Sequence, residues 1–111
     1  MDGRAVWNFA IEAFPQAVLS ALERVGKSLD EVDLVIPHQA NINIIKTGME
    51  KLSLPMEKTF TNLHKYGNTA GASVPIAMRE AMDEGLIGPG SLVVTAAFGG
   101  GLAWGANVIQ F

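Results

Sequence analysis

Residues 32–41 read VDLVIPHQAN, and they predict the first repeating unit of the fold. Residues 32–37 are too few for a helix, are rich in branched side chains and end in proline, so they predict a buried strand that stops at His38. Residues 41–52 carry apolar side chains at helical spacing, and Leu54 followed by Pro55 ends the predicted helix. The stretch therefore predicts a strand, a short polar loop and a helix.

The same pattern follows in the next part of the chain. Residues 59–62 predict a short strand, residues 64–69 (HKYGNT) a polar loop, and residues 70–84 a helix rich in alanine and methionine. Pro75 can be accommodated in the first turns of that helix. Two successive strand, loop and helix units favour a layered α/β fold.

A long helix is predicted near the start of the chain. Residues 4–25 carry a one-sided apolar stripe, which is typical of an amphipathic helix. Pro15 predicts a kink or a second start within it, and Gly26 predicts its end. Ser28 with Glu31 resembles a capping box that opens a single further turn.

Two strands are predicted at the end of the chain. Residues 91–98 and 102–111 are joined by the glycines at 99–101, which favours an antiparallel pair. The element order thus predicts an α/β fold, with a mixed, mainly parallel sheet and helices on its faces. Ligands in such sheets bind beyond the C-terminal ends of the strands. The sequence predicts three segments at these strand ends: His38, the loop around Asn68 and the glycine turn. The three segments can therefore converge on one site.

The composition restricts the classes of function. With 111 residues, 49% hydrophobic and 17% charged, the chain has the size of one domain, and its low charge favours an apolar surface that another domain, chain or ligand covers. A net charge of −3 without a run of Lys or Arg argues against nucleic acid and anionic membranes as partners. The sequence shows no signal peptide and no membrane-spanning apolar run, so we expect a cytoplasmic protein. The absence of cysteine excludes disulfides and a cysteine nucleophile within this chain.

The evidence for each candidate catalytic residue is weak when that residue is considered alone. A lone histidine such as His38 is more often structural than catalytic, and Asn68, which follows Gly67, fits ordinary turn chemistry. The glycines at 99–101 fit either a hairpin turn or a close approach of backbone amides to a ligand. The sequence has no phosphate-binding loop, and His38 and His64 lack the spacing of a metal site.

Three motifs taken together change this assessment: PHQAN at 37–41, YGNTAGAS at 66–73 and FGGGLAWG at 98–105. In this order they resemble three signatures of the ketoacyl-[acyl-carrier-protein] synthase III family. Residues 1–10 (MDGRAVWNFA) also resemble the start of that family's C-terminal half. The resemblance covers residues 1–111 and implies one domain, the C-terminal half of a thiolase-like enzyme whose two α/β halves pack together and dimerise. The family's cysteine nucleophile lies in the N-terminal half.

The resemblance implies a decarboxylating condensing enzyme that starts fatty-acid synthesis. In that family, an acyl group from coenzyme A is loaded on the cysteine and is attacked by malonyl-carrier protein after loss of carbon dioxide. His38 and Asn68 match the pair whose N–H groups stabilise the thioester enolate. Gly100 matches a backbone oxyanion donor, and Phe98 matches an aromatic wall beside the nucleophile. No metal and no cofactor is implied beyond the substrates, acyl-CoA and malonyl-carrier protein.

The family's tunnel for the pantetheine arm of its substrates matches several positions here: Met1, Gly3, Trp7, Ala10, Ala40, Asn41 and Ile44. Core packing explains Ala10 and Ile44 equally well. Where the family often has a basic residue that docks the acidic carrier protein, this chain has Asn43. Nearby lysines could substitute for it: Lys46, Lys51 and Lys65. The family's YGNTSAAS is YGNTAGAS here, a change that can alter packing near the site.

Two other interpretations stay open. A polyketide-type or quinolone-type condensing enzyme would use the same histidine and asparagine with a different primer. A non-catalytic half would only bind carrier protein or stabilise a dimer, although intact His38 and Asn68 argue against that role. Without a cysteine, the chain alone is expected to be inactive, so its implied partners are the N-terminal half, carrier protein, a coenzyme A thioester and a second copy of the enzyme.

Overall fold

The computed structural model describes residues 3–39, 41–62, 73–99 and 103–111. Within them, three α-helices and three strands follow in the order α1 (Gly3–Arg24), β1 (Leu34–Pro37), α2 (Ile42–Lys51), α3 (Ser73–Asp83), β2 (Leu92–Gly99) and β3 (Ala103–Gln110). Short 3-10 turns at Leu29–Glu31 and Met56–Lys58 precede β1 and follow α2. None of the helices in the described ranges is long and apolar enough to cross a membrane.

β2 lies between β1 and β3 in the sheet. It runs parallel to β1, in a register that places Pro37 opposite Ala96, and antiparallel to β3. On its other side, β1 meets Thr59 through a parallel bridge at Val35. Parallel pairing therefore flanks β1 on both sides and an antiparallel strand follows β2, which confirms the predicted mixed sheet.

Helices cover both faces of the sheet, because β1 and β2 direct alternate side chains into two apolar clusters. On one face, the strands pack against α1 and α2 through Val35, Val94, Phe14, Val18, Ile45 and Met49. On the other face, they pack against α3 through Leu34, Ile36, Val93, Ala77 and Ala81. This arrangement confirms the predicted α/β fold with helices on its faces.

β1 is buried along its whole length, which explains its unbroken apolar sequence. Before it, the backbone N–H of Asp33 donates to Leu92 O at 2.9 Å, and the Asp33 carboxylate accepts the Leu92 N–H at 2.8 Å. The predicted strand is confirmed, but it begins at Leu34 and not at Val32. The Asp33 side chain accepts the Leu92 N–H, which would otherwise be available for backbone pairing with a longer β1.

α1 is a single helix that runs through Pro15, so the predicted second start at that residue is wrong. Proline removes one backbone donor and crowds the preceding turn, which destabilises a helix interior. Here the neighbouring side chains Phe14 and Val18 are buried against the sheet. Burial of this apolar stripe offsets the loss and keeps the helix continuous.

The end of α1 follows the prediction. Gly26 adopts a φ of +69°, and the Lys27 N–H donates back to Leu22 O at 3.0 Å, the hydrogen bond of a glycine-terminated helix. The Ser28 N–H then donates to Glu31 Oε2 at 2.8 Å, as expected for a capping box. Local sequence therefore determines how the chain turns from α1 towards β1.

Of the strand predicted at residues 59–62, only Thr59 pairs with β1. The side chain of Gln39 takes hydrogen bonds of the residues that follow. Gln39 Nε2 donates to Phe60 O at 3.2 Å, and the Asn62 N–H donates to Gln39 Oε1 at 3.0 Å. The same Nε2 also donates to Pro37 O at 2.8 Å. Beyond the bridge at Thr59, this buried carboxamide therefore links the two segments in place of direct backbone pairing.

Glycine at position 48 lets α1 and α2 approach each other closely. A Cβ at Gly48 would lie 2.6 Å from Cε2 of Phe14, nearer than Cβ atoms come to other atoms in real structures. Phe14 is only 4% exposed and belongs to the cluster that covers one face of the sheet. A side chain at position 48 would therefore push Phe14 out of place.

Gln39→Leu is expected to lower the free energy of unfolding by about 2–4 kcal/mol, since each buried backbone group left without a partner costs about 1–3 kcal/mol. Chemical denaturation of the purified protein measures this change. Amide hydrogen exchange at Asn62 should become roughly tenfold faster or more. Gln16→Leu, at an exposed position of α1, is the control and should change neither quantity. Unchanged exchange at Asn62 would contradict this role of Gln39.

Gly48→Ala is expected to lower the free energy of unfolding by about 1–3 kcal/mol, the usual cost of overpacking a core. The matched control is Gly88→Ala, because a Cβ at Gly88 meets nothing within 4 Å. Thermal or urea denaturation of both variants measures the difference. Equal stability of the two would show that Phe14 is not held where the structure places it.

Candidate active site

The C-terminal ends of β1 and β2 meet at His38. The backbone N–H of His38 donates to Ala96 O at 2.8 Å, which continues the parallel pairing one residue beyond β1. β2 extends past this point to Gly99, and its register places Phe98 opposite Trp104 of β3. The histidine therefore lies at the sheet edge where the sequence predicts a site.

The imidazole of His38 is held by the first residue of α3. His38 Nδ1 and Ser73 Oγ are 2.5 Å apart, and Ser73 is 1% exposed. The same Oγ accepts a longer hydrogen bond, of 3.4 Å, from the backbone N–H of Gln39. One buried hydroxyl thus joins the end of β1 to the start of α3 and contacts the candidate catalytic ring.

Burial also influences the charge of His38. The ring is partly buried, and the lost hydration lowers the pKa of His38 below its ordinary value of 6.5. At neutral pH the imidazole is therefore uncharged, with one nitrogen that donates and one that accepts a hydrogen bond. A neutral ring of this kind can donate to an oxygen on which negative charge develops.

An apolar cavity adjoins His38 between the sheet, α1 and α2. Its other lining residues are Phe14, Ala17, Pro37, Ile44, Ile45, Ala96, Ala97 and Trp104. The cavity has a volume of only about 10 Å³, room for about one water molecule. Its apolar lining therefore forms a wall beside His38 and does not enclose space for a substrate. Ile44, which is predicted to contact pantetheine, belongs to this lining and is 7% exposed, so it serves both the core and the cavity.

The other residues predicted to contact pantetheine have more local roles in the described part of the chain. Asn41 caps α2, since its Oδ1 accepts the Asn43 N–H at 2.8 Å. Ala10 is fully buried in α1, which favours the core-packing interpretation. Trp7 is half-buried on α1, and Gly3 begins that helix. None of these four residues lines the cavity beside His38.

Several predicted site residues lie outside the described residues: Met1, Ala40, Asn68 and Gly100. For Phe98, the structure describes the backbone, which lies in β2, but not the side chain. The roles inferred for all five therefore stay predictions.

α2 carries most of the residues considered for carrier docking. Asn43 and Lys46 are exposed and lie three positions apart, on one face of the helix. Lys51 Nζ is 2.7 Å from Glu12 Oε1, in an ion pair that links α2 to α1. Lys46 is therefore better placed for a partner than Lys51, and Lys65 lies outside the described residues.

Sequence reasoning misses two residues of the site, Ser73 and Gln39. Both occur within the motifs quoted above, but a serine at a helix start is ordinarily interpreted as a capping residue. A glutamine next to a histidine has no diagnostic spacing. The sequence does indicate that Gln39 follows a strand and that Ser73 lies near the start of a helix, which places both near the predicted site. That both side chains are buried becomes visible only in the structure.

Comparisons with known proteins agree with this geometry. A family model described as 3-oxoacyl-[acyl-carrier-protein (ACP)] synthase III C terminal matches residues 22–111. Beta-ketoacyl-[acyl-carrier-protein] synthase III of Aquifex aeolicus is 46% identical over 111 residues, which are 100% of this chain and 36% of that protein. Its crystal structure matches the whole chain with a TM-score of 0.97. The chain thus spans about a third of the length of this relative.

Two further solved structures are similar over the whole chain. Beta-ketoacyl-[acyl carrier protein] synthase III of Thermus thermophilus has a TM-score of 0.97 at 42% identity, and the chain covers 35% of it. The priming beta-ketosynthase of the R1128 polyketide biosynthetic pathway has a TM-score of 0.91 at 28% identity, and the chain covers 34% of it. Because the family model matches most of the chain, from the end of α1 through β3, the chain belongs to the 3-oxoacyl-[acyl-carrier-protein] synthase III C-terminal family.

Proposed function

We propose that this chain is part of a beta-ketoacyl-[acyl-carrier-protein] synthase III that starts fatty-acid synthesis, and that it stabilises the enolate formed from malonyl-carrier protein. The observation that carries the proposal is the setting of His38. Its imidazole is neutral at neutral pH, lies 2.5 Å from Ser73 Oγ and borders an apolar cavity. Membership in the synthase III family supports this chemistry over other uses of a lone histidine.

In the proposed reaction, the bond between the malonyl carboxylate and C2 breaks, carbon dioxide leaves, and the electron pair forms the enolate of the thioester. The enolate oxygen accepts hydrogen bonds from His38 Nε2–H and from the carboxamide of Asn68. No strong base is needed, because decarboxylation itself generates the carbon nucleophile. The two residues act by lowering the energy of a charge that forms only as the reaction proceeds.

The enolate carbon then attacks the carbonyl of an acyl thioester on a cysteine that lies outside this chain. A carbon–carbon bond forms, and the cysteine thiolate leaves. We assign the backbone N–H of Gly100 to the oxyanion of this second step and the ring of Phe98 to a wall that shields the carboxylate from water. The reaction needs acyl-CoA and malonyl-carrier protein and no further cofactor.

The pantetheine arms of these substrates would reach His38 along a path lined by Met1, Gly3, Trp7, Ala40, Asn41 and Ile44. The described geometry supports this path at Ile44, which borders the cavity next to His38. The acidic carrier protein would dock near the exposed face of α2 that bears Asn43 and Lys46. With asparagine at position 43, this docking depends on Lys46 as the nearby positive charge on the same face.

The remaining parts of the enzyme would come from outside these residues. The relatives are about three times longer than the chain, since it covers 36% of the Aquifex aeolicus protein. We infer that the remainder supplies the cysteine, that the complete enzyme is a cytoplasmic homodimer, and that the chain by itself does not catalyse condensation, because it contains no cysteine.

A polyketide-priming synthase is the second candidate function. The R1128 priming beta-ketosynthase, at 28% identity and a TM-score of 0.91, favours keeping it. Both enzymes would use His38 and Asn68 in the same way and would differ in the primer. A profile of acyl-CoA primers, measured on the enzyme that contains the cysteine-bearing remainder, separates them.

A hybrid enzyme tests the proposal, and in it this chain replaces the matched 111 residues of the Aquifex aeolicus protein. His38→Ala and Asn68→Ala are each expected to slow carbon dioxide release from malonyl-carrier protein by about 10²–10³-fold, the usual effect of removing one oxyanion donor. Release of labelled carbon dioxide and formation of the condensed product measure the two steps.

Gln16→Leu in the same hybrid is the control and should keep the parent rate, because its side chain is exposed on α1. A His38→Ala hybrid that decarboxylates at the parent rate would contradict the assignment. An inactive parent hybrid whose fold is intact would favour the non-catalytic interpretation of this chain.

The protonation of His38 can be measured separately by NMR titration of the hybrid, with the His38→Ala spectrum as the assignment control. Because burial disfavours the imidazolium, we expect the pKa of His38 to lie below 6.5. The ring then gains its proton only at a lower pH than an exposed histidine does, and it is uncharged at neutral pH. A pKa at or above 6.5 would contradict the effect of burial, and a pKa above the assay pH would contradict the neutral form that the mechanism requires.

A further inference from the structure

We propose that Ser73 is a positioning residue that holds His38 in the tautomer with its proton on Nε2, so that this proton is presented to the substrate oxygen. This inference rests on the proposed function, in which His38 donates a hydrogen bond to the enolate. Ser73 itself does not touch the substrate in this account.

Ser73 Oγ must accept one hydrogen bond from the backbone. The backbone N–H of Gln39 can only donate, and it points at Ser73 Oγ from 3.4 Å. A serine hydroxyl has one proton to give and lone pairs to receive. With one lone pair facing Gln39, the hydroxyl proton can turn towards its much closer partner, His38 Nδ1, at 2.5 Å.

The opposite arrangement is less favourable. If His38 Nδ1 carried the proton, two N–H donors would converge on one oxygen, and the hydroxyl proton would need another acceptor. Ser73 is 1% exposed, so bulk water is not available to supply that acceptor. In the part of the chain that the structure describes, Ser73 Oγ has these two nitrogens as its partners and no further acceptor. A buried polar hydrogen left without an acceptor costs about 1–3 kcal/mol, which favours the arrangement in which Nδ1 accepts.

Buried contacts hold Gln39 and Ser73 in this geometry. Gln39 is fully buried, and its side chain is bonded to Pro37 O and to the backbone of residues 60 and 62, so its N–H has a fixed direction. Ser73 begins α3, whose residues Ala77 and Ala81 are buried against β1 and β2. Both partners of the hydroxyl therefore come from rigid parts of the fold.

The tautomer of His38 determines which ring nitrogen can donate a hydrogen bond to the substrate. A neutral imidazole has one donor nitrogen, so a proton on Nδ1 would leave Nε2 able only to accept. Such a ring would repel the enolate oxygen rather than stabilise it. The lowered pKa of His38, which burial causes, keeps the ring in the neutral form for which the choice of tautomer matters.

The experiment uses the hybrid enzyme labelled with ¹⁵N-histidine, in the parent, Ser73→Ala and Thr59→Val forms. Thr59 is the matched control, because its hydroxyl donates a hydrogen bond to Val35 O in β1, the strand that precedes His38, and does not contact His38 itself. The ¹⁵N shifts of the His38 ring, assigned by comparison with His38→Ala, report which nitrogen carries the proton. The kcat and KM for malonyl-carrier protein are measured on the same samples.

We expect the parent and Thr59→Val forms to show the Nε2–H tautomer. Ser73→Ala should give a mixture in which Nδ1–H is populated, with kcat lowered by about 10–100-fold and KM changed by no more than about twofold. A loss of this kind acts through the orientation of His38, which a merely structural role of Ser73 would not produce.

The inference is overturned if the parent shows Nδ1–H, or if Ser73→Ala keeps both the Nε2–H tautomer and the parent kcat. The parent spectrum decides the first point even if Ser73→Ala does not fold. A different result would overturn the proposed function: the His38→Ala hybrid would be as active as the parent, whichever tautomer His38 adopts in the parent.

Discussion

The hydrogen-bonding groups at the end of β1 impose the main constraint on this structure. The strand is buried on both faces, so the carbonyl of Pro37 and the N–H groups of His38 and Gln39 must find partners inside the protein. Pro37 O is satisfied by the Gln39 side chain, His38 N–H by Ala96 O, and Gln39 N–H by Ser73 Oγ. The second and third of these bonds connect the end of β1 to β2 and to α3. The Gln39 side chain also connects it to the segment after Thr59, through Phe60 O and the Asn62 N–H.

The same bonds orient the candidate catalytic ring. His38 leaves the sheet in a direction set by the Ala96 bond, and its Nδ1 meets the hydroxyl that also serves the neighbouring backbone. A site that stabilises a developing charge works best when its donors are fixed before the reaction begins. Here the contacts that complete the fold also hold the ring, because the hydroxyl of Ser73 bonds both His38 Nδ1 and the Gln39 backbone.

Patterns within short stretches predict much of the fold. The strand before His38, the helix after Asn41, the stop at Gly26 and the glycine-joined strand pair follow from spacing, branching and turn chemistry, and the structure has all of them. The three motifs likewise point to the family. These features depend on neighbours in sequence, so the sequence alone carries them.

The errors and omissions concern long-range contacts. The strand predicted over residues 59–62 is replaced beyond Thr59 by a pairing with Gln39, whose bond to Asn62 spans 23 positions. The bond between His38 and Ser73 spans 35 positions and leaves no periodic trace. The continuity of α1 through Pro15 depends on packing against the sheet, which outweighs a local preference of the backbone. Partners of this kind become visible only when the chain is folded.

A crystal structure of the hybrid enzyme with a malonyl thioester analogue that cannot lose its carboxylate would test whether His38 Nε2 donates to the substrate. We expect a thioester oxygen about 2.7–3.1 Å from His38 Nε2, the distance expected of an oxyanion donor, with Nδ1 still bonded to Ser73. An analogue bound in the site with its oxygen directed away from Nε2, or a ring turned so that Nδ1 faces the substrate, would contradict this role of His38.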